Sequence, residues 1–203
     1  MPARLRRVAI GVTGASGALY AVRTVSSLLA LDVQVELVVS DLGRRLLRDE
    51  LGAEATVDKL ATYISARYGV TVASDNFVIH SNKDVGATIA SGSYLCDAMA
   101  IVPCSMKTLA GVAHGLSRNL IERAADVMLK ERRRLVVVPR ETPMSLPQLR
   151  NMVLCAEAGA QVLPAMPAFY QGPETIDDLS DFMAGKILSC LGIENDLYPA
   201  WAG

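Results

Sequence analysis

Residues 7–17, Arg-Val-Ala-Ile-Gly-Val-Thr-Gly-Ala-Ser-Gly, decide the fold class. A strand-like apolar run, Arg7 to Val12, leads into a glycine-rich turn, and Ala18 to Leu31 then carries apolar residues at helical spacing. Glycines let the backbone turn tightly and approach a ligand, and N–H groups at a helix start favour an anion. The turn is not a Walker A loop and departs from the dinucleotide Gly-x-Gly-x-x-Gly spacing. It therefore predicts nucleotide or flavin binding, and the alternative is a tight turn in which Ser16 only caps the helix.

The alternation of strand and helix continues along the whole chain. Apolar runs that are each followed by a helix indicate a parallel sheet covered by helices on both faces. Further strands are predicted at Val33–Val39, Phe77–His80, Ala98–Val102, Leu135–Val138 and Val162–Leu163, two of them closed by Pro103 and Pro139. Further helices are predicted at Leu42–Glu50, Val57–Tyr68, Met106–His114, Leu120–Glu131, Leu146–Ala158 and Thr175–Leu191. We expect one doubly wound α/β domain over residues 1–203, a Rossmann-like or flavodoxin-like three-layer sandwich.

Composition excludes several classes of protein. The chain has 203 residues, 51% of them hydrophobic, and 20 basic against 21 acidic side chains give a net charge of −1. This argues against disorder and against binding to nucleic acid or to a membrane surface. With no apolar run long enough to span a bilayer and no signal-peptide pattern, we expect a cytoplasmic protein. Four cysteines without a Cys-x-x-Cys pair, and two histidines, make a zinc site improbable and predict reduced, mostly buried thiols.

Reactive side chains follow the predicted strands at their carboxyl ends, where ligands bind in such sheets. After Pro103, Ser105 and Thr108 can bring two hydroxyls to one ligand, or Ser105 can simply cap the next helix. After Pro139, Arg140 can grip a phosphate and Glu141 can move a proton, or the two can form a surface ion pair. The sequence favours an anionic ligand at this edge.

Other charged motifs have plainer explanations. Arg123 and Lys130 lie seven residues apart and therefore on one helical face, which is usually a solvated face. Asp177-Asp178-Leu-Ser-Asp181 matches the Mg²⁺-diphosphate motif of all-α isoprenoid synthases, but acids in a first helical turn are also explained by the helix dipole. No metal site is predicted. Asp41, near the place of a ribose-binding acid, keeps a nicotinamide dehydrogenase as a distant alternative.

Taken together and in order, six motifs resemble the flavin prenyltransferases (UbiX-like) over nearly the whole chain. They are Thr13-Gly-Ala-Ser-Gly17, Pro103-Cys-Ser-x-Lys-Thr-Leu109, Leu120-Ile-x-Arg-Ala-Ala-Asp-Val127, Leu129-Lys-Glu-Arg-Arg133, Pro139-Arg-Glu-Thr-Pro143 and Pro164-Ala-x-Pro-Ala-Phe-Tyr170. The resemblance implies that the protein transfers a dimethylallyl group from dimethylallyl monophosphate to N5 and C6 of reduced FMN, without a metal. The prenylated FMN would serve a partner decarboxylase acting on aromatic or unsaturated acids, including one in ubiquinone synthesis.

The resemblance also implies the site residues. FMN contacts fall on Gly14, Ala15, Ser16, Ser40, Ser105, Met106, Lys107, Thr108 and Arg140. Prenyl-phosphate contacts fall on Arg123, Lys130, Arg140, Glu141, Tyr170 and Lys186, and Ser16, Glu50, Lys130, Glu141 and Trp201 match catalytic positions. Family members are homo-oligomers, usually dodecamers, and we expect the tail at about 192–203 to pack on a neighbouring subunit.

Some alternatives stay open. Lys186 lies where relatives usually have Arg, so a compact ammonium group replaces a planar guanidinium that could bind phosphate through two N–H groups. A flavin-dependent cysteine or phosphopantothenoylcysteine decarboxylase is the second interpretation, although such enzymes carry an Asn-rich turn and a catalytic His. A flavin-carrier subunit of a hydroxyarylic acid decarboxylase is the non-enzymatic one, although a carrier would not need Lys130, Arg140, Glu141 and Tyr170.

Overall fold

A computed structural model describes residues 7–199 of the chain. Its centre is a sheet of six parallel strands in the order β3-β2-β1-β4-β5-β6. The strands are β1 (Arg7–Val12), β2 (Gln34–Val39), β3 (Phe77–Ser81), β4 (Ala98–Cys104), β5 (Arg134–Pro139) and β6 (Gln161–Val162). The order reverses between β1 and β4, so the carboxyl ends of these two strands flank the crevice in which ligands bind in open α/β sheets.

Helices cover both faces of the sheet. They are α1 (Ala18–Ala30), α2 (Asp41–Leu51), α3 (Leu60–Tyr68), α4 (Met106–Ala113), α5 (Leu120–Lys130), α6 (Leu146–Glu157) and α7 (Ile176–Leu191). One core lies between the sheet and α1, α3 and α7, and the other between the sheet and α4, α5 and α6. The predicted doubly wound α/β fold is confirmed. Within residues 7–199, none of the helices combines the length and the apolar character needed to cross a bilayer.

Most boundaries agree with the sequence patterns to within one residue, and two differ by more. β4 does not stop before Pro103 but continues to Cys104, because the Pro103 carbonyl accepts a hydrogen bond from the Thr13 N–H at 3.2 Å and keeps the edge joined. The predicted helix at 57–68 begins as a single 3₁₀ turn, Val57–Lys59, before α3.

The described part of the C-terminal tail packs on its own chain. The Asn195 amide donates to the Gly185 carbonyl at 3.1 Å, and the Tyr198 ring lies 4.9 Å from the Phe182 ring of α7. The prediction that the tail at about 192–203 packs on a neighbouring subunit stays a prediction. Trp201 lies outside the described residues.

Candidate active site

The buried side chain of Thr13 joins β1 to β4 at the reversal point of the sheet. Its hydroxyl donates to the Pro103 carbonyl at 2.8 Å and accepts from the Ser105 N–H at 2.7 Å. Both strand ends are thereby fixed to each other immediately before their loops diverge. This geometry sets the crevice between the turn after β1 and the turn after β4.

The turn after β1 leaves no room for side chains at two of its glycines. A β-carbon on Gly14 would lie 2.5 Å from the Leu42 β-carbon at the start of α2. Gly17 has a φ of 121°, which other residues rarely adopt, and a β-carbon there would lie 2.9 Å from the Tyr20 ring. The backbone of this turn therefore forms the crevice wall directly.

The N-terminus of α1 is occupied by the chain's own carboxylate. Glu50 accepts hydrogen bonds from the N–H groups of Gly17 at 3.0 Å and Ala18 at 2.8 Å. These amides, expected to favour a ligand anion, are instead paired with Glu50, which brings this predicted catalytic residue to the crevice edge. Ser16 is exposed and does not cap α1, so the simple capping alternative for it was wrong.

The turn after β4 presents the predicted pair of hydroxyls. Ser105 caps α4 by accepting from the Thr108 N–H at 3.3 Å, and its hydroxyl also donates to the Thr108 hydroxyl at 3.1 Å. Met106 is buried beneath the turn, and Lys107 is exposed. Across the crevice, Ser40 caps α2 through the Gly43 N–H. Capping and ligand contact are compatible here, since a hydroxyl oxygen has more than one hydrogen-bonding site.

β5 delivers Arg140 and Glu141 to the same edge. A β-carbon on Gly17 would lie 3.6 Å from the Arg140 δ-carbon, so this arginine reaches the turn after β1. Burial raises the pKa of Tyr20, while the positive charge of Arg140 lowers it and the carboxylate of Glu50 raises it. Arg140 and Glu50 therefore both lie within electrostatic reach of Tyr20. Glu141 is exposed, and its carboxylate accepts from the Thr142 N–H at 3.1 Å.

Two predicted phosphate-binding residues face a different part of the subunit. Arg123 donates to the Ala90 carbonyl at 3.1 Å and to Asp126 at 2.6 Å, and Lys130 pairs with Glu131 at 2.5 Å. Lys130 ends α5 just before β5 starts, so it lies at the amino ends of the strands. The five steps along β5 alone span about 17 Å. Within one chain, Lys130 and Arg140 are therefore at opposite ends of the sheet.

Tyr170 and Lys186 form a third group, beside α7. The Tyr170 ring packs edge-on against Phe182 at 6.3 Å between centroids. Lys186 lies one helical turn after Phe182 and close enough to Cys190 for its charge to lower the pKa of that thiol, which burial raises. Tyr170 and Tyr198 thus both pack on Phe182, a residue of the core.

The other candidate motifs have structural explanations. In the acidic motif Asp177 pairs with Arg67, Asp181 pairs with Arg23, and Asp178 forms a capping box with Thr175. A grouping of side chains able to hold a metal ion is not found among residues 7–199.

The thiols and histidines are likewise accounted for. Cys104 is buried, and burial raises its pKa, which makes it a poor nucleophile. His80 pairs with the buried Glu36, and His114 lies at the far end of α4 beside Asn151. The turn after β4, Cys104 to Thr108, contains no Asn, which disfavours the decarboxylase alternative.

Thr13 and Tyr20 were not predicted from the sequence as site residues. In the sequence Thr13 directly follows a predicted buried strand, and a hydroxyl at that place is a signal for a contact at the strand end. Tyr20 looked like one more apolar residue of α1. Only the fold shows that its ring lies against Gly17.

The crevice presents groups that can bind a phosphate ester. Backbone approaches the ligand space at Gly14, the hydroxyls of Ser105 and Thr108 line the opposite turn, and the Arg140 guanidinium lies at the rim. Hydroxyls, helix starts and a guanidinium are the groups that bind phosphate esters.

Comparisons with known proteins agree with this geometry. The Flavoprotein family model matches residues 2–188. Flavin prenyltransferase UbiX of Halalkalibacterium halodurans is 47% identical over 192 residues, covering 95% of this chain and 91% of the relative. The crystal structure of AnUbiX (PadA1) in complex with FMN and dimethylallyl pyrophosphate superposes with a TM-score of 0.88 at 38% identity, covering 98% and 99% of the two chains. A dodecameric FMN-dependent UbiX-like decarboxylase from Escherichia coli O157:H7 superposes with a TM-score of 0.85 at 37% identity, covering 97% and 100%. The chain therefore belongs to the Flavoprotein family and, within it, to the UbiX-type flavin prenyltransferases.

Proposed function

We propose that this protein joins the dimethylallyl group of dimethylallyl monophosphate to N5 and C6 of reduced FMN and releases inorganic phosphate. The observation that carries the proposal is the crevice between β1 and β4, beside which β5 places Arg140 and Glu141. A flavin and a phosphate ester held side by side need this combination of backbone, hydroxyls, cation and carboxylate. The 47% identity to a UbiX flavin prenyltransferase supports the same reaction.

The flavin site is assigned to the crevice edge. Reduced FMN supplies electron-rich N5 and C6 as the atoms that receive carbon. Its contacts are assigned to the turn after β1, the start of α2, the turn after β4 and the rim arginine: Gly14, Ala15, Ser16, Ser40, Ser105, Met106, Lys107, Thr108 and Arg140.

The chain's cations stabilise the departing phosphate. Breaking the allylic C–O bond leaves the electron pair on the phosphate, and fixed positive charges lower the energy of that transition state without a metal ion. The cations assigned to this role are Arg123, Lys130, Arg140 and Lys186, and the Tyr170 hydroxyl is assigned as a hydrogen-bond donor to the same phosphate. Trp201 is the predicted partner for positive charge on the prenyl carbons, through a cation–π contact.

Glu141 is the assigned proton acceptor. Forming the bond at C6 requires that a proton be removed, and a carboxylate beside Arg140 can take it directly or through the phosphate that it holds. Ser16, exposed at the crevice, is assigned as a relay near N5, and Glu50 assists from its position on the Gly17 N–H.

The donor site is completed by a second copy of the chain. Arg140 lies at the carboxyl ends of the strands and Lys130 at their amino ends, so one chain cannot bring both to one phosphate. A homo-oligomer in which α5 of one copy faces the crevice of another brings them together. The dodecameric UbiX-like relative supports a dodecamer.

Helix α6 offers the apolar face that such an assembly needs. Leu146, Leu149 and Val153 lie on one helical face and are 58%, 44% and 56% exposed, whereas Cys155 on the opposite side is buried. Exposed apolar patches of this kind mark interaction sites. Because α6 begins five residues after Glu141, a copy bound to this face lies next to the crevice.

The product leaves for another enzyme. Prenylated FMN is assigned as the cofactor of a partner decarboxylase for aromatic or unsaturated acids, and we place both proteins in the cytoplasm. The protein itself is the producer of the modified flavin.

Anaerobic incubation with reduced FMN and dimethylallyl monophosphate tests the reaction. We expect the recovered flavin to gain one five-carbon unit in its mass, with one phosphate released per flavin. A flavin that binds but keeps its mass would identify a carrier subunit, and turnover of a peptidyl-cysteine would identify a decarboxylase.

Subunit mixing tests the shared site. Arg140→Ala and Lys130→Ala variants should each be inactive and should regain part of the activity when their subunits are mixed and reassembled. If the mixture stays as inactive as its components, the two residues do not come from different copies.

A further inference from the structure

A buried carboxylate in the middle of the sheet has no part in the crevice. Glu36 of β2 is 1% exposed, and its two oxygens lie 2.6 Å from the His80 Nε2 and 2.6 Å from the Tyr94 hydroxyl, which donates to it. Arg7 approaches the same carboxylate at 3.2 Å. Burial opposes ionisation, but the hydrogen bonds from His80 and Tyr94 and the charge of Arg7 leave the pKa of Glu36 below its usual value. A buried charge of this kind must be paired to be tolerated.

Two partners of Glu36, Tyr94 and Arg7, belong to or hold the segment between β3 and β4. We call residues 82–97 the β3–β4 connection. Tyr94 ties this segment to Glu36, and Arg7 adds a hydrogen bond to the Leu95 carbonyl at 2.9 Å and a stacking contact over the Tyr94 ring at 4.6 Å. In the middle of the connection, Ile89 is buried in the core against α5. The connection is thus fixed at two points, with Ala90 to Ser93 spanning between them.

The span between these two anchors touches basic side chains of α5 and of the turn that follows it. Arg123 donates to the Ala90 carbonyl at 3.1 Å, and Arg133 donates to the Gly92 carbonyl at 2.6 Å. A β-carbon on Gly92 would lie 2.9 Å from the Lys130 Nζ and 2.1 Å from a Glu131 oxygen. The backbone at Gly92 therefore sets where the Lys130 ammonium group can stand.

We propose that the β3–β4 connection, held on the sheet by Glu36 through Tyr94, positions Lys130 and Arg123 for the phosphate of the prenyl donor. The inference rests on the proposed function, in which these two cations bind that phosphate. Glu36, Tyr94 and Gly92 are positioning residues, since they act through the cations. Their effect should therefore fall on the donor and spare the flavin.

Gly92→Ala tests the contact at the span. Gly92 lacks a positive φ, so an added methyl group strains no backbone and displaces only the ends of Lys130 and Glu131. We expect KM for dimethylallyl monophosphate to rise about tenfold, the effect of misplacing one charged hydrogen bond, while Kd for FMN is unchanged. Gly86→Ala is the matched control, because it lies in the same connection, also lacks a positive φ, and its methyl group would meet nothing closer than 3.4 Å.

Tyr94→Phe tests the anchor and guards against a folding defect in the first variant. It removes the hydroxyl that donates a hydrogen bond to Glu36 and keeps the ring beside Arg7. KM for the donor should therefore rise again, while kcat at saturating donor should stay unchanged. Tyr63→Phe, on α3 against the other core, should change neither constant. If Gly92→Ala and Gly86→Ala had the same KM for the donor, or if Gly92→Ala weakened FMN binding as much as it raised the donor KM, the inference would be wrong. The proposed function would still stand in that case. A wild-type protein that makes no prenylated flavin would overturn the proposed function and the inference with it.

Discussion

The Thr13 hydroxyl, between β1 and α1, is expected to contribute more to the free energy of unfolding than the buried Thr24 hydroxyl of α1. Thr13→Val keeps the shape of the side chain and removes a group that donates to Pro103 and accepts from Ser105. The Pro103 carbonyl retains the Thr13 N–H at 3.2 Å, whereas the Ser105 N–H loses the acceptor it has at 2.7 Å. The variant therefore leaves one donor unsatisfied at the crevice.

The size of the effect follows from that unsatisfied donor. Leaving a buried N–H without an acceptor costs about 1–3 kcal/mol. For a protein of this length each kcal/mol lowers Tm by about 2–4 °C, so a loss near the middle of that range lowers Tm by about 4–8 °C. Because Ser105 begins the hydroxyl turn assigned to FMN, Kd for FMN should rise about tenfold, which corresponds to about 1.4 kcal/mol.

Thermal unfolding and a flavin titration measure the two effects. Thr24→Val is the matched control, since Thr24 is also buried and its hydroxyl donates at 2.7 Å to the Tyr20 carbonyl, which already accepts a helical N–H. No donor is left unsatisfied there, and we expect a loss below about 1 kcal/mol. Equal Tm values for the two variants would refute the role given to Thr13.

Four further predictions concern separate parts of the molecule. Leu149→Glu should lower the mass of the assembly measured by light scattering, whereas Arg150→Glu, at the neighbouring position of α6, should leave it unchanged. Equal masses for the two variants would show that this face of α6 is not part of the interface. The pKa of Glu36 is lowered in the folded protein, so its contribution to stability is present above the ordinary pKa of 4.5 and is lost as pH falls from 4.5 through the folded pKa. In urea unfolding between pH 4.5 and that lower pKa, the stability of Glu36→Gln should therefore depend less on pH than that of the wild type. Cys104→Ala should retain prenyl transfer, because a buried thiol with a raised pKa is protonated at neutral pH, and an inactive variant would reinstate a nucleophile. Glu141→Gln should slow product formation by about 10²- to 10⁴-fold in a flavin mass assay, and an unchanged rate would end its role as proton acceptor.

Much of the fold could be predicted because the strands are continuous apolar runs. The four inner strands β1, β2, β4 and β5 are buried on both faces, so their hydrophobic residues need no periodicity to be recognised, whereas the edge strands β3 and β6 are partly exposed. The strand boundaries shifted where hydrogen bonding decides them, as at Pro103, whose carbonyl keeps β4 joined to Thr13. Glu36 was a signal within the predicted strand Val33–Val39, since a charge in a buried run needs partners.

The site could be predicted only in part, because its contacts join residues distant in the sequence. The carboxyl ends of the strands brought the turns at Thr13 and Ser105 together as expected. That Glu50 would occupy the α1 amides required the packing of α2 on the turn after β1. Spacing placed Arg123 and Lys130 on one helical face, and only the topology shows that Lys130 lies away from Arg140 in the same chain.

A crystal structure of the assembled protein with FMN and dimethylallyl monophosphate bound would be the most direct test. The distances to measure run from the donor phosphate to the Arg140 guanidinium of one copy and to the Lys130 ammonium of another. We expect both within about 3 Å, with the prenyl carbon facing N5 of the flavin. Arginine and lysine side chains turned into bulk solvent, with the flavin outside the β1–β4 crevice, would contradict the proposed reaction site.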